Sequence, residues 1–177
     1  MKQRSILWQA AGFAAATFGG TILHFLYDWT GGSILVSPFS GGNESTWEHM
    51  KLLYWPLFLF AGLQRPFFRE QENYWCVKLM EILLGLTLIP VLFYTYNGVF
   101  GQSPDWINIA IFYITAALAF LFERWAFKQD RHSKSPQLAF AAICFIGVLF
   151  VLFTFKPPQI PLFRDPVTGT YGILFEK

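Results

Sequence analysis

The chain has 177 residues, of which 54% are hydrophobic, 20% aromatic and only 14% charged. Soluble domains carry roughly 25% charged residues, so this composition excludes a soluble globular enzyme and predicts a single integral membrane domain. The formal net charge of +2 comes from unclustered basic residues, which argues against a nucleic-acid partner. The expected partners are membrane lipids, with a second copy of the chain or a different membrane subunit beside it.

Five apolar segments predict five transmembrane helices in an all-α, polytopic bundle, at about 6–27, 47–68, 75–97, 106–127 and 138–155. The first follows Lys2 and Arg4. Its apolar run exceeds the ~7–15 residues of a signal-peptide core, so it is expected to be a retained helix. It carries small residues at Ala11, Ala15 and Gly19 and again at Gly12, Ala16 and Gly20, a spacing that lets a neighbouring helix, or a second copy, approach closely. Residues 29–43 form a Gly- and Ser-rich loop, long enough to suggest a functional or lid-like role. Pro56 and Pro90 fall inside the second and third helices and should bend them. Ser103-Pro104-Asp105 reads as an N-cap, a first-turn proline and an acid at the positive end of the fourth helix. The two cysteines, Cys76 and Cys144, lie in or beside apolar segments and form neither a disulfide framework nor a Cys-based zinc motif.

Basic residues set the expected orientation. If the spans alternate, Lys2, Arg4, Arg65, Arg69, Lys78, Arg124, Lys128, Arg131 and Lys134 fall on one side, against Lys51, Lys156, Arg164 and Lys177 on the other. This bias places the N-terminus inside and the C-terminus outside. The tryptophans fit two interfacial belts, Trp8, Trp75 and Trp125 inside and Trp29, Trp47, Trp55 and Trp106 outside. Residues 1–156 would then be one transmembrane domain, and the Pro-rich, apolar tail 157–177 would fold over the outer face, turning near Asp165-Pro166 and Gly169.

The stretch Asn43–Pro56, NESTWEHMKLLYWP, concentrates ionisable residues just ahead of an apolar run. A structural explanation exists: Ser45-Thr46-Trp47-Glu48 fits a capping box, with Glu48 reaching back to the Ser45 amide and Glu44 beside the positive helix end. Three features point to more. The wholly apolar part of the second helix, Leu52–Leu63, spans only about 18 Å against a hydrocarbon core of ~30 Å, which draws Glu48, His49 and Lys51 toward the outer interface. His24 and Asp28 share a face at the end of the first helix, which the loop makes a neighbour of the second. His49, in the first turn of its helix, is held toward the neutral imidazole that ligates metals or accepts protons.

His24, Asp28 and His49 are therefore candidate ligands for zinc or another divalent ion. Glu48 or Glu44 would serve as the base that activates a bound water, and Lys51 and Arg164 would contact substrate. Lys51 equally suits a pair with Glu48 three residues earlier. A metal-free polar site and a purely structural polar cluster stay open beside the metal reading. In the inner half, Lys78 and Glu81 read as an ion pair with Arg124 nearby in depth, a proton relay through Glu81 being the alternative. His132 reads as a solvated loop residue.

Two of these segments, NESTWEHMKLLYWP and PPQIPLFRDPVTGTYGI, resemble a family of small bacterial polytopic membrane proteins of unknown function, a resemblance that spans nearly the whole chain. It implies a multi-pass protein of a bacterial plasma membrane and carries over no reaction, ligand or functional residue. A looser, fold-level likeness exists to membrane-embedded hydrolases that hold zinc near one leaflet. Three functions remain: a metal-dependent hydrolase of a lipid-like ester or amide, a transport or solute-binding component, and a structural or accessory membrane protein.

Overall fold

A computed structural model describes the backbone of residues 2–129 and 135–173, and side chains from residue 6 onward. The side chains of Lys2 and Arg4 fall outside that description, as do the whole of Arg131, His132, Lys134 and Lys177. Regular structure among the described residues is helical throughout: α1 (Lys2–Trp29), α2 (Thr46–Gln64), α3 (Tyr74–Phe100), α4 (Asp105–Phe127) and α5 (Pro136–Phe155), with short 3-10 turns at Arg65–Phe68 and Pro161–Phe163.

Among the described residues four helices, α1, α3, α4 and α5, are long and apolar enough to cross a membrane, which is the pattern of a multi-pass membrane protein. The exception, α2, was expected to be a fifth span. It has 19 residues and buries 13 of them inside the bundle, Glu48 and Lys51 included. It packs against α1, α3 and α5 and touches α4. Its α-helical hydrogen bonding stops at Gln64 rather than Phe68, because Pro66 has no N–H to donate and the chain tightens into a 3-10 turn. Both α2 and α3 continue through their prolines.

In lipid, an apolar side chain gains little by exchanging hydrocarbon for protein, so close packing and buried polar links hold helices together. Gly12, Ala16 and Gly20 form the buried row of α1. A methyl on Gly12 would collide with Phe120 and Phe60, and one on Gly20 with Phe112, so this row brings α1 onto α2 and α4. Ala11 and Ala15 are exposed. At the centre, Leu53, Tyr54, Leu57 and Phe60 of α2 meet Ile82, Leu86 and Ile89 of α3, Phe120 of α4, and Ile143 and Phe150 of α5. Tyr54 donates its hydroxyl to the Ile143 carbonyl at 2.8 Å, and Gly147 leaves the space its ring needs.

The segments after α1 and α5 meet over the start of α2, at what is called here the tail end of the bundle. Phe163 inserts beside Trp47 and Phe153, with ring centroids 4.6 and 5.4 Å away. Asn43 Nδ2 donates to the Gly172 carbonyl at 3.0 Å. A turn follows at Asp165, whose Oδ1 accepts the Val167 N–H at 2.8 Å and whose Oδ2 accepts the Thr168 hydroxyl at 2.7 Å; Gly169 closes it at a φ of +73°. Trp47 therefore belongs to the core beneath the tail and not to an interfacial belt: it is 9% exposed and packs on Phe150. The loop before α2 is held down as well, Trp55 Nε1 donating to the Pro38 carbonyl at 3.0 Å.

Two expectations at helix ends are corrected. The N-cap of α4 is Pro104, not Ser103. Ser103 links two helices instead: its N–H donates to Asn97 Oδ1 at 2.8 Å and its hydroxyl to Asn108 Oδ1 at 2.7 Å. At the opposite end of the bundle, Lys78 pairs with Glu81 as expected, but the third member is Glu123 and not its neighbour Arg124.

Candidate functional site

The charged stretch at the start of α2 divides between two environments. Ser45 caps the helix, its Oγ accepting the Glu48 N–H at 3.3 Å. The reciprocal half of a capping box is absent: the Ser45 N–H goes to Asn43 Oδ1 at 2.9 Å. Glu48 Oε2 instead accepts the Gly42 N–H at 2.8 Å and Lys51 Nζ at 2.6 Å. Lys51 Nζ also donates to the Ser37 carbonyl at 2.7 Å and to Thr154 Oγ1 at 3.0 Å. An ammonium has three N–H donors, so Lys51 is fully satisfied. This buried lock ties the α1–α2 loop, α2 and α5 together.

The other environment forms around Glu44. His24 comes from α1 and His49 from the first turn of α2, with ring centroids 5.7 Å apart. His24 Nε2 lies 3.9 Å from Glu44 Oε1, and His49 Nε2 lies 3.5 Å from Glu44 Oε2. His49 Nδ1 is 3.0 Å from the Ser45 carbonyl. A carbonyl oxygen only accepts, so Nδ1 carries the proton and Nε2 is the nitrogen left to face the carboxylate. At 3.5 Å that approach is longer than a direct N–H···O bond of roughly 2.7–3.2 Å.

These three residues stand on the wall of a cavity of about 650 Å³ at the tail end. α1 adds Gly20, Thr21 and Phe25, and α2 adds Thr46 and Leu52. The far wall comes from α3 and α4: Ile89, Phe93, Ile111 and Phe112 are apolar, while Asn97, Ser103, Asp105 and Asn108 are polar. Pro166 and Val167 of the tail complete the rim. The lining is thus apolar toward the bundle and polar at its mouth. It includes two carboxylates, and the described lining residues hold no Lys or Arg. A volume of this size suits a small molecule.

Of the seven residues singled out from the sequence, His24, Glu44 and His49 are brought together on this cavity. Asp28 lies one turn beyond His24, is exposed and does not line it. Glu48 and Lys51 bond to each other below the loop. Arg164 is exposed, in an isolated bridge with Tyr171, its guanidinium beside the Gly169 turn. Among the described residues, no group of three or more His, Cys, Asp or Glu side chains is placed to hold a metal ion outright.

The sequence reading passed over Asn97, Ser103, Asp105 and Asn108 as site residues. The available signal was two small amides and a hydroxyl, Asn97, Asn108 and Ser103, at and between the facing ends of α3 and α4, which in lipid need polar partners or a ligand.

Fold and site together define a helical, multi-pass membrane protein with an amphipathic small-molecule cavity at one end. A family model described as a family of unknown function, DUF6512, matches residues 2–173, and the chain belongs to that family. No curated protein and no solved structure matches the chain.

Proposed function

We propose that the cavity binds an amphipathic, lipid-like molecule and that His24, Glu44 and His49 hold a divalent transition ion, zinc or a relative, at its polar end. The observation that carries this reading is the approach of two imidazole Nε2 atoms to the two oxygens of one carboxylate, at 3.9 and 3.5 Å. Ligands of a tetrahedral ion with bonds of about 2.1 Å lie roughly 3.4 Å from one another, close to the separations of 3.9 and 3.5 Å between each imidazole and the carboxylate. The His49 Nδ1 bond to the Ser45 carbonyl is the outer-shell support that orients a metal-binding imidazole. Such an ion would supply Lewis-acid chemistry for hydrolysis of a lipid-like ester or amide in the cavity. The bias of basic residues supports an extracytoplasmic tail end, and the resemblance of the two polar segments supports a bacterial plasma membrane.

Elemental analysis of detergent-purified protein tests the proposal. Near-stoichiometric zinc, manganese or iron is expected in the wild type and is lost in both His24→Ala and His49→Ala while the fold persists. Wild-type protein purified without chelator and carrying no metal overturns it.

A second reading rests on a separate observation: Glu44 and Asp105 are the charged residues of the described lining. This favours a solute with an ammonium head, as in a transport or solute-binding component. Glu44→Gln and Asp105→Asn would then both weaken stabilisation by an amphipathic amine in a thermal-shift assay. Metal binding, by contrast, depends on Glu44 and is indifferent to Asp105.

A further inference from the structure

The opposite end of the bundle contains a charged cluster that the cavity does not use. Lys78 Nζ donates to Glu81 Oε2 at 2.9 Å and to Glu123 Oε1. All three residues are essentially inaccessible, at 1%, 0% and 0% exposure. Each carboxyl spends one oxygen on Lys78. Glu81 Oε1 and Glu123 Oε2 are buried with no hydrogen-bond partner among the described residues.

The charges do not balance: one ammonium faces two carboxylates. The surroundings supply little relief. The rings of Phe60 on α2, Tyr74 on α3 and Phe120 on α4 lie 5.8–6.0 Å from Lys78 Nζ. Tyr74 is the nearby titratable group, and its hydroxyl is committed to the Ala61 carbonyl at 2.6 Å and Gln64 Oε1 at 3.1 Å. The Arg65 guanidinium lies over the Tyr74 ring at 5.3 Å. A surplus buried charge is strongly disfavoured in such a setting. A single proton on the carboxyl pair cancels it and gives one orphan oxygen an O–H to donate.

Thr115 lies on α4 between Ile111 on the cavity wall and Glu123 in this cluster. Ile89 of α3 and Ile111 of α4 are cavity residues. One turn deeper, Leu53 of α2 packs beside Gly85, its Cδ2 2.8 Å from where a Gly85 Cβ would stand, and Thr115 Cγ2 lies 3.9 Å from the same point. Glu81 follows one turn deeper still on α3. Thr115 is fully buried, and its Oγ1 has no partner among the described residues. From Ile89 to Glu81 is eight residues, about 12 Å along the helix.

We propose that the Lys78–Glu81–Glu123 cluster is a proton-binding site that exchanges its proton with the cavity along the α3–α4 seam, past Thr115. The proton comes from water in the cavity and resides on the carboxyl pair, leaving the cluster neutral. The site lies apart from His24, Glu44 and His49, so it stands whether or not those residues hold a metal.

Infrared difference spectra of the purified protein, moved from light to heavy water, read such a proton directly. The wild type is expected to show the carbonyl stretch of a protonated, buried carboxyl. Both Glu81→Gln and Glu123→Gln abolish it, because either leaves one carboxylate against one ammonium. Glu81→Asp and Glu123→Asp, which keep the carboxyl, shift the band without removing it, and they serve if a Gln variant does not fold. Thr115→Val slows the deuterium shift of the band tenfold or more. A wild type with no such band, or a band that survives both Gln variants, overturns the site. An unchanged exchange rate in Thr115→Val overturns the route.

Discussion

Replacing Lys51 by Met tests how the tail end is held together. The Lys51 side chain is 0% exposed and that of Glu48 4%, so solvent screens their 2.6 Å contact little. Methionine fills a similar volume but deletes three donated bonds, to Glu48, the Ser37 carbonyl and Thr154 Oγ1. What remains is a buried Glu48 carboxylate supported by the Gly42 N–H alone. Removing one partner of a buried pair typically costs about 3–5 kcal/mol, because the other charge stays behind. The low end applies here, since Glu48 retains that N–H and can take up a proton: about 3 kcal/mol. For a chain of this length that is a melting temperature roughly 6–12 °C lower. Glu48→Gln should cost less, because an amide oxygen still accepts from Gly42 and Lys51. Thermal unfolding of the two variants and their double in one detergent, followed by circular dichroism, gives the coupling between the residues. Lys51→Met within about 1 kcal/mol of wild type, or Glu48→Gln costing more than Lys51→Met, would refute the assignment of this pair as a structural lock.

Gly147→Ala places a methyl 2.6 Å from the Tyr54 hydroxyl oxygen and should cost about 1–3 kcal/mol by overpacking; Tyr54→Phe, which removes that oxygen, should recover part of the loss in the double variant, as a melting-temperature cycle would show. Asn43→Ala removes the bonds to the Gly172 carbonyl and the Ser45 N–H, a loss of about 1–2 kcal/mol, and should speed proteolysis of the tail in a limited-digestion assay while the helical core resists.

Much of the fold was legible because lipid constrains it. Backbone groups in hydrocarbon must bond within their own segment, so apolar runs of the right length predicted α1, α3, α4 and α5 to within a few residues. The neighbourhood of α1 and α2 followed from the direct loop between them, whereas the two small-residue rows of α1 foretold a close approach without naming the partner helix. The helix whose surroundings were hidden was α2, an apolar run with a polar start. Its polarity is answered inside the protein, by a loop carbonyl, a loop amide and Thr154 on α5. Those partners are distant in sequence and carry no local pattern. Glu123 was hidden for a different reason. It sits next to Arg124 and reads as half of a neutral pair, yet adjacent residues on a helix point about 100° apart. Glu123 turns inward to Lys78, while Arg124 remains partly exposed. Asp28 shares a face with His24, but it lies one turn further along α1 and outside the cavity lining.

The same helical arithmetic explains how one short segment serves two purposes. Glu48 and Lys51 are three residues apart and point to one side of α2, toward the loop and α5. His49 is rotated about 100° from Glu48 and about 200° from Lys51, which turns it away from the lock and toward α1 and the cavity. Ser45, four residues before His49, offers that ring its carbonyl and offers the Glu48 N–H its hydroxyl, so a single capping residue orients both groups. Glu44 precedes the helix and is not bound to its rotation, so it reaches between the two histidines. The lock therefore fixes the end of α2 from one face while the opposite face presents an imidazole at a set angle. A ligand site built this way is rigid where it meets the helix and adjustable only at Glu44 and His24, the two side chains that would have to close on an ion.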